Sequence, residues 1–162
     1  LYFTSRFSSQ VISLLFSWHM VLAILTMIPI SRFLKRFNHP QALMISALLW
    51  GIGFSLIWFI GGVPELQLIW AIMAMAILAI ATVSYTPSAA AFVADIAPAS
   101  LRGVYLSINS LCWAIGYAIG PPLGGWAMDQ NALLTNNFWL ALAFSVTILI
   151  AILQYLNQIF KR

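Results

Sequence analysis

Long apolar runs separated by short polar breaks organise this chain. The apolar windows lie near residues 11–31, 41–60, 67–91, 103–126 and 138–158, and none of them contains an Asp, Glu, Lys or Arg. A helix needs about 20 mostly apolar residues to cross a hydrocarbon core of about 30 Å, and each window has that length. Barrel strands would instead alternate apolar and polar residues in segments of about 10. The pattern predicts five transmembrane helices, an all-α polytopic membrane protein with residues 1–162 forming a single five-helix membrane domain.

Composition agrees with that class. Hydrophobic residues make up 63% of the chain and charged ones 6%, with seven Trp in 162 residues, well outside the range of soluble domains. The net charge of +4 would raise nucleic acid as a partner of a soluble domain; in a chain whose partner is the lipid bilayer it reads as topology, and no nucleic acid is implied. Arg32, Lys35 and Arg36 fall in the first break, Arg102 in the third, and Lys161 and Arg162 after the last window, while the second and fourth breaks hold only the acids Glu65 and Asp129. Under the positive-inside rule the basic segments are cytoplasmic. That places Leu1 outside and Arg162 inside a cell (inner) membrane, with Arg6 alone on the opposing side. The chain opens on Leu1 without a charged signal region or cleavage site, and is expected to be part of something longer.

Two windows carry the most pattern. In the third, Ala81, Ser84, Ser88 and Ala91 recur at steps of three and four, continued just past its end by Asp95, a small-residue face that a neighbouring helix can approach closely. Pro87 in the same window removes a backbone donor and favours a kink. In the fourth, Gly116, Gly120 and Gly124 recur at steps of four, with Pro121, Pro122 and Gly125 alongside, and read as a second packing face. On an adjoining face stand Tyr105, Asn109, Trp113 and Tyr117, again at steps of four. That stripe has two readings: interface-belt and space-filling aromatics with one interhelical amide, or the wall of a cavity in which aromatic faces and a few polar groups bind an amphipathic molecule. Trp50, with Ser46 and Gly53 on its face, is a candidate for the same wall.

Isolated polar residues are weighed the same way. His19 lies mid-window, where an ionisable group is costly; it is either a proton-linked or substrate-binding group, or a neutral imidazole bonded to a neighbouring helix. His39, beside Pro40 in the basic break, reads as solvated, Cys112 as a small packing residue, and Met73 and Met75 as lipid-facing or core filler. No HExxH, GxSxG or P-loop occurs, and the acids Glu65, Asp95 and Asp129 all stand at window ends or in breaks. Catalytic residues, a metal site and a cofactor are therefore not expected.

Asp95 and Arg102 flank the turn between the third and fourth windows. Each sits at the unfavourable end of its own helix dipole, a conflict that disappears if Asp95 faces the start of the fourth helix and Arg102 the end of the third. Pro98 would end one helix and Ser100 would cap the next.

These residues belong to a run, FVADIAPASLRGVYLSINSLCWAIGYAIGPPLGGWAMDQ from Phe92 to Gln130, that resembles the tenth-to-eleventh helix region of the major facilitator superfamily, especially its bacterial drug-efflux-like members. An acid, a Pro, an Arg-Gly pair and a later Gly-Pro-x-x-Gly-Gly follow in the same order. The segment PISRFLKRFNHPQAL from Pro29 to Leu43 resembles the degenerate basic loop between that fold's eighth and ninth helices, and lacks the acid of the stronger copy of that motif, with Lys35 or a neighbour in its place. The resemblance covers the whole chain as helices eight to twelve. It implies part of a carboxy-terminal half of a twelve-helix secondary carrier whose amino-terminal half is a missing partner. Such a carrier moves a small, amphipathic solute by alternating access, in the direction of efflux or the reverse. On this reading His19, Trp50, Asn109, Trp113 and Tyr117 are substrate-cavity candidates, Asp95 and Arg102 belong to a cytoplasmic gate, and Gly116, Gly120, Pro121, Gly124 and Gly125 pack helices. The rival is a non-transporting scaffold or receptor-like relative that keeps the fold.

Overall fold

The computed structural model describes residues 7–159, so the expectations for Leu1, Arg6, Lys161 and Arg162 lie outside the described residues. Five helices run through it: α1 (Ser9–Leu34), α2 (His39–Gly62), α3 (Gln67–Ile96), α4 (Arg102–Met128) and α5 (Ala132–Ile159). Each overruns its apolar window at one or both ends. The hydrocarbon thickness limits the apolar stretch, whereas the hydrogen-bond ladder continues into the headgroup layer until a cap or a proline stops it.

Those stops are local chemistry. At the start of α2 the Gln41 N–H donates to Asn38 Oδ1 at 2.9 Å and the Asn38 N–H donates to Gln41 Oε1 at 3.3 Å, a reciprocal capping box. Pro40 fits this first turn because a backbone donor there would have no helical acceptor. Asn131 caps α5 one-sidedly, its Oδ1 accepting from the Leu134 N–H at 2.9 Å. At its far end α3 stops at Ile96, since Ala97 precedes Pro98 and takes extended backbone angles of φ −81° and ψ 131°. Ser100 does not cap α4 as expected. It lies inside a short 3-10 turn, Ala99–Leu101, and the helix begins after Leu101 without a side-chain cap. Pro87 sits within an uninterrupted α3; around it the hydroxyls of Thr82, Ser84, Thr86 and Ser88 each donate to the carbonyl four residues earlier.

The helices pack in the order α1, α3, α2, α5, with α2 against α3 the most extensive pair and α4 resting lightly on α3 and α5. The seam between α2 and α3 brings Ser46 and Gly53 against Ala81 and Leu78, and the small residues Ala71, Ala74, Ala79 and Ser84 of α3 are buried as well. Ser46 Oγ donates across it to the Ala81 carbonyl at 2.9 Å. In a bilayer, close packing and interhelical hydrogen bonds hold helices together, because lipid tails are as apolar as the helix faces. The small-residue stripe of α3 thus reaches a neighbour, and Ser46 and Gly53 face that seam and not the wall beside Trp50. A Cβ on Gly53 would stand 2.5 Å from Leu78 Cδ2.

The glycines of α4 behave differently. A Cβ built on Gly116, Gly120, Gly124 or Gly125 meets nothing within 4 Å. Gly116, Gly120 and Pro121 are exposed. The expected packing face therefore has no partner among the described residues; spacing allows close approach without supplying the helix that approaches.

Candidate functional site

One end of the bundle gathers the basic residues. Arg32 closes α1, His39 opens α2, Asp95 lies near the end of α3 and Arg102 opens α4. Here the first residues of α2 reach two neighbours: Asn38 Nδ2 donates to Asn157 Oδ1 on α5 at 2.9 Å, and His39 Nε2 lies 2.8 Å from Asp95 Oδ2 on α3. His39 is thus not simply solvated, and Asp95 is not paired with Arg102, which makes no ion pair among the described residues. The reason is the packing order. Because α2, and not α4, lies tightly along α3, the carboxylate at the negative end of α3 meets the positive end of α2.

Above this rim, α4 stands away from the other helices and leaves a cavity of about 790 Å³ between α2, α3, α4 and α5, within the usual range of small-molecule sites. From α4 it is lined by Asn109, Trp113 and Tyr117, and from α2 by Trp50, so four of the five substrate-cavity candidates share one space, with Gly116 and Gly120, expected to pack helices, lining it as well. Tyr105, the first member of the α4 stripe, does not line it. The rings are ordered. Trp113 and Tyr117 stack with centroids 5.6 Å apart, and Tyr85 of α3 meets the Trp113 indole edge to face at 5.4 Å. Trp50 and Phe54, one turn apart on α2, are 5.5 Å apart. Asn109 is half-buried and its amide makes no hydrogen bond among the described residues. Aliphatic side chains, Leu43, Leu149 and Leu153, complete the wall, and the lining includes no acid, Lys, Arg or His. Phe92 lines the cavity and also lies 6.5 Å from the His39 ring, linking the rim to the interior.

His19 is elsewhere. Its Nδ1 lies 3.1 Å from the Met75 carbonyl on α3; a carbonyl only accepts, so Nδ1 carries the proton and the imidazole ties α1 to α3. Met75 is core and Met73 is exposed. Cys112 is no packing residue: it is exposed and lines the cavity. Sequence reasoning passed over Tyr85 and Phe54. Tyr85 follows Ala81 and precedes Ala89 at steps of four, beside the small-residue stripe, and Phe54 follows Trp50 by four; an aromatic one turn along from a candidate is the signal that would have found both.

Residues 2–158 match the Major Facilitator Superfamily. A "Na(+), Li(+), K(+)/H(+) antiporter" of Planococcus maritimus is 29% identical over 111 residues, which is 66% of this chain and 24% of that protein. The match thus spans about a quarter of that relative's length. No solved structure matches the chain at a significant level.

Proposed function

The chain belongs to the Major Facilitator Superfamily, and from that premise we propose that it supplies one wall of the solute path in a longer secondary carrier, working by alternating access. The observation that carries this is the shared cavity, in which Asn109, Trp113 and Tyr117 of α4 stand across from Trp50 of α2. Aromatic faces with one free amide suit a small amphipathic solute. The activity that the relative's name gives, exchange of alkali cations for protons, finds little support in this wall. Such ions need oxygen ligands and a charge partner, and Glu65, Asp95 and Asp129 do not line the cavity. Cation coupling would rest on residues outside it.

The basic end of the bundle is the cytoplasmic one on this proposal, in an inner membrane, with Asp95 and Arg102 at the gate and the unpacked glycine face of α4 meeting the other half of the carrier. The test is saturable movement of a fluorescent amphipathic dye in proteoliposomes holding the protein expressed from its native reading frame. Asn109→Ala is expected to change the apparent affinity for the dye while leaving the amount of protein unchanged. A wild-type protein that moves no dye, or saturable transport indifferent to both Asn109→Ala and Trp113→Ala, would turn the reading toward the scaffold alternative.

A further inference from the structure

We propose that the cavity selects uncharged, ring-bearing solutes, and that Tyr85 is the positioning residue that presents the Trp113 indole to them. The inference rests on reading the cavity as the solute site and adds to it a substrate class and a residue role.

The charge argument comes from the lining. Because no ionisable side chain apart from tyrosine and cysteine faces the space from these helices, an anion would gain no counter-charge from this wall and would meet the negative faces of its rings. An organic cation would gain a cation–π contact with Trp50 or Trp113. It would still give up its hydration with no carboxylate to replace it. A neutral ring gains the stacking surface without that cost, and the free Asn109 amide, both donor and acceptor, can meet a single polar substituent.

The role of Tyr85 follows from the difference between the two helices that hold the ring ladder. Its own helix, α3, is packed on α1 and α2, whereas α4 makes few contacts. The edge-to-face contact at 5.4 Å joins them. It anchors the Trp113 indole, already stacked on Tyr117, in one orientation toward the cavity.

Cys112, the one cysteine of the chain, lines the same cavity and reports on occupancy. The experiment follows its alkylation by N-ethylmaleimide, read by mass spectrometry of the Cys112 peptide, in nanodiscs holding the protein expressed from its native reading frame. The probes are phenylnaphthylamine, which is neutral, the anionic anilinonaphthalene sulfonate and a trimethylammonium analogue of the same skeleton. With about four fifths of sites filled, the neutral probe should slow alkylation about fivefold, and the charged analogues at the same concentration by less than about twofold. Tyr85→Leu should raise the neutral probe concentration giving half protection about two- to tenfold, as expected for loss of an aromatic pair. Tyr85→Phe, which keeps the ring edge, should leave it unchanged. Equal protection by all three probes would overturn the charge selection, and an unchanged midpoint in Tyr85→Leu would overturn the positioning role. Protection by none of them would remove the solute cavity itself, and with it the proposed function.

Discussion

Replacing Gly53 by Ala tests the seam on which the rest of the bundle depends. The added Cβ would lie 2.5 Å from Leu78 Cδ2 and 2.8 Å from its Cγ, far inside the carbon contact distance of about 3.5–4.0 Å. Leu78 belongs to a buried cluster with Ile57, Ile60, Ala74 and Met75, so its side chain has little room to turn aside. Overpacking of this kind costs about 1–3 kcal/mol, but alanine also favours a helix over glycine by about 0.8–1.0 kcal/mol. Gly124→Ala separates the two effects, since its Cβ would meet nothing within 4 Å, no proline follows it, and only the propensity gain applies. The difference in stability between the two variants therefore isolates the steric cost, about 1–3 kcal/mol with Gly53→Ala the weaker. The measurement is reversible unfolding in mixed detergent micelles, followed by circular dichroism. Adding Leu78→Ala to Gly53→Ala should cost less than Leu78→Ala alone, because the new methyl group fills part of the void. Equal stability of Gly53→Ala and Gly124→Ala would refute the close approach of α2 to α3, and additive losses in the double variant would refute Leu78 as the obstacle.

The His39–Asp95 contact has both side chains more than a third exposed, so a double-mutant cycle with His39→Ala and Asp95→Asn should give a coupling of about 1 kcal/mol or less, shrinking as salt is raised; a larger, salt-independent coupling would contradict a solvated rim. His19→Ala removes the imidazole bond to the Met75 carbonyl and should cost about 0.6 kcal/mol, the size measured on average for interhelical side-chain bonds in membranes, with no change in protection of Cys112 by cavity probes; altered protection would place His19 in the solute path. For the proposed orientation, in a background carrying Cys112→Ser, Asn131→Cys should react with an impermeant maleimide added to intact cells and Phe37→Cys only with a permeant one; the opposite labelling would reverse the topology.

The existence of five spans could be read from the sequence because the bilayer imposes it: a chain with no charge across a window of about 20 residues has few other stable places to be. What the windows do not encode is which apolar side faces a helix and which faces lipid. Ile60 is 0% exposed and Ile24 is 73% exposed, yet both belong to equally apolar runs. In water that difference would be written as an amphipathic stripe; in lipid both surroundings are apolar, and only small residues and polar side chains leave a trace. The traces were unequal. Ala81, Ser84 and Ser88 on α3 mark a face that is buried, while the better-spaced glycines of α4 mark one that is open. Helical spacing says how near another backbone can come and is silent about which backbone it is.

The same limit divides the candidate site. Asn109, Trp113 and Tyr117 could be grouped beforehand because steps of four along one helix fix a shared face, and the structure gives that face a cavity. Tyr85, Phe54 and the His39–Asp95 contact required the helix order, since each depends on α2 and α3 lying together with α4 set apart. That order also explains why α4 holds both the polar-aromatic stripe and the unfilled glycine face. Gly116 and Gly120 line the same cavity as Asn109 and Trp113, and a helix packed tightly within these five could not hold that side of α4 open. The cavity therefore exists because α4 keeps its distance, which its few contacts with α3 and α5 leave possible and its unfilled glycines do nothing to oppose.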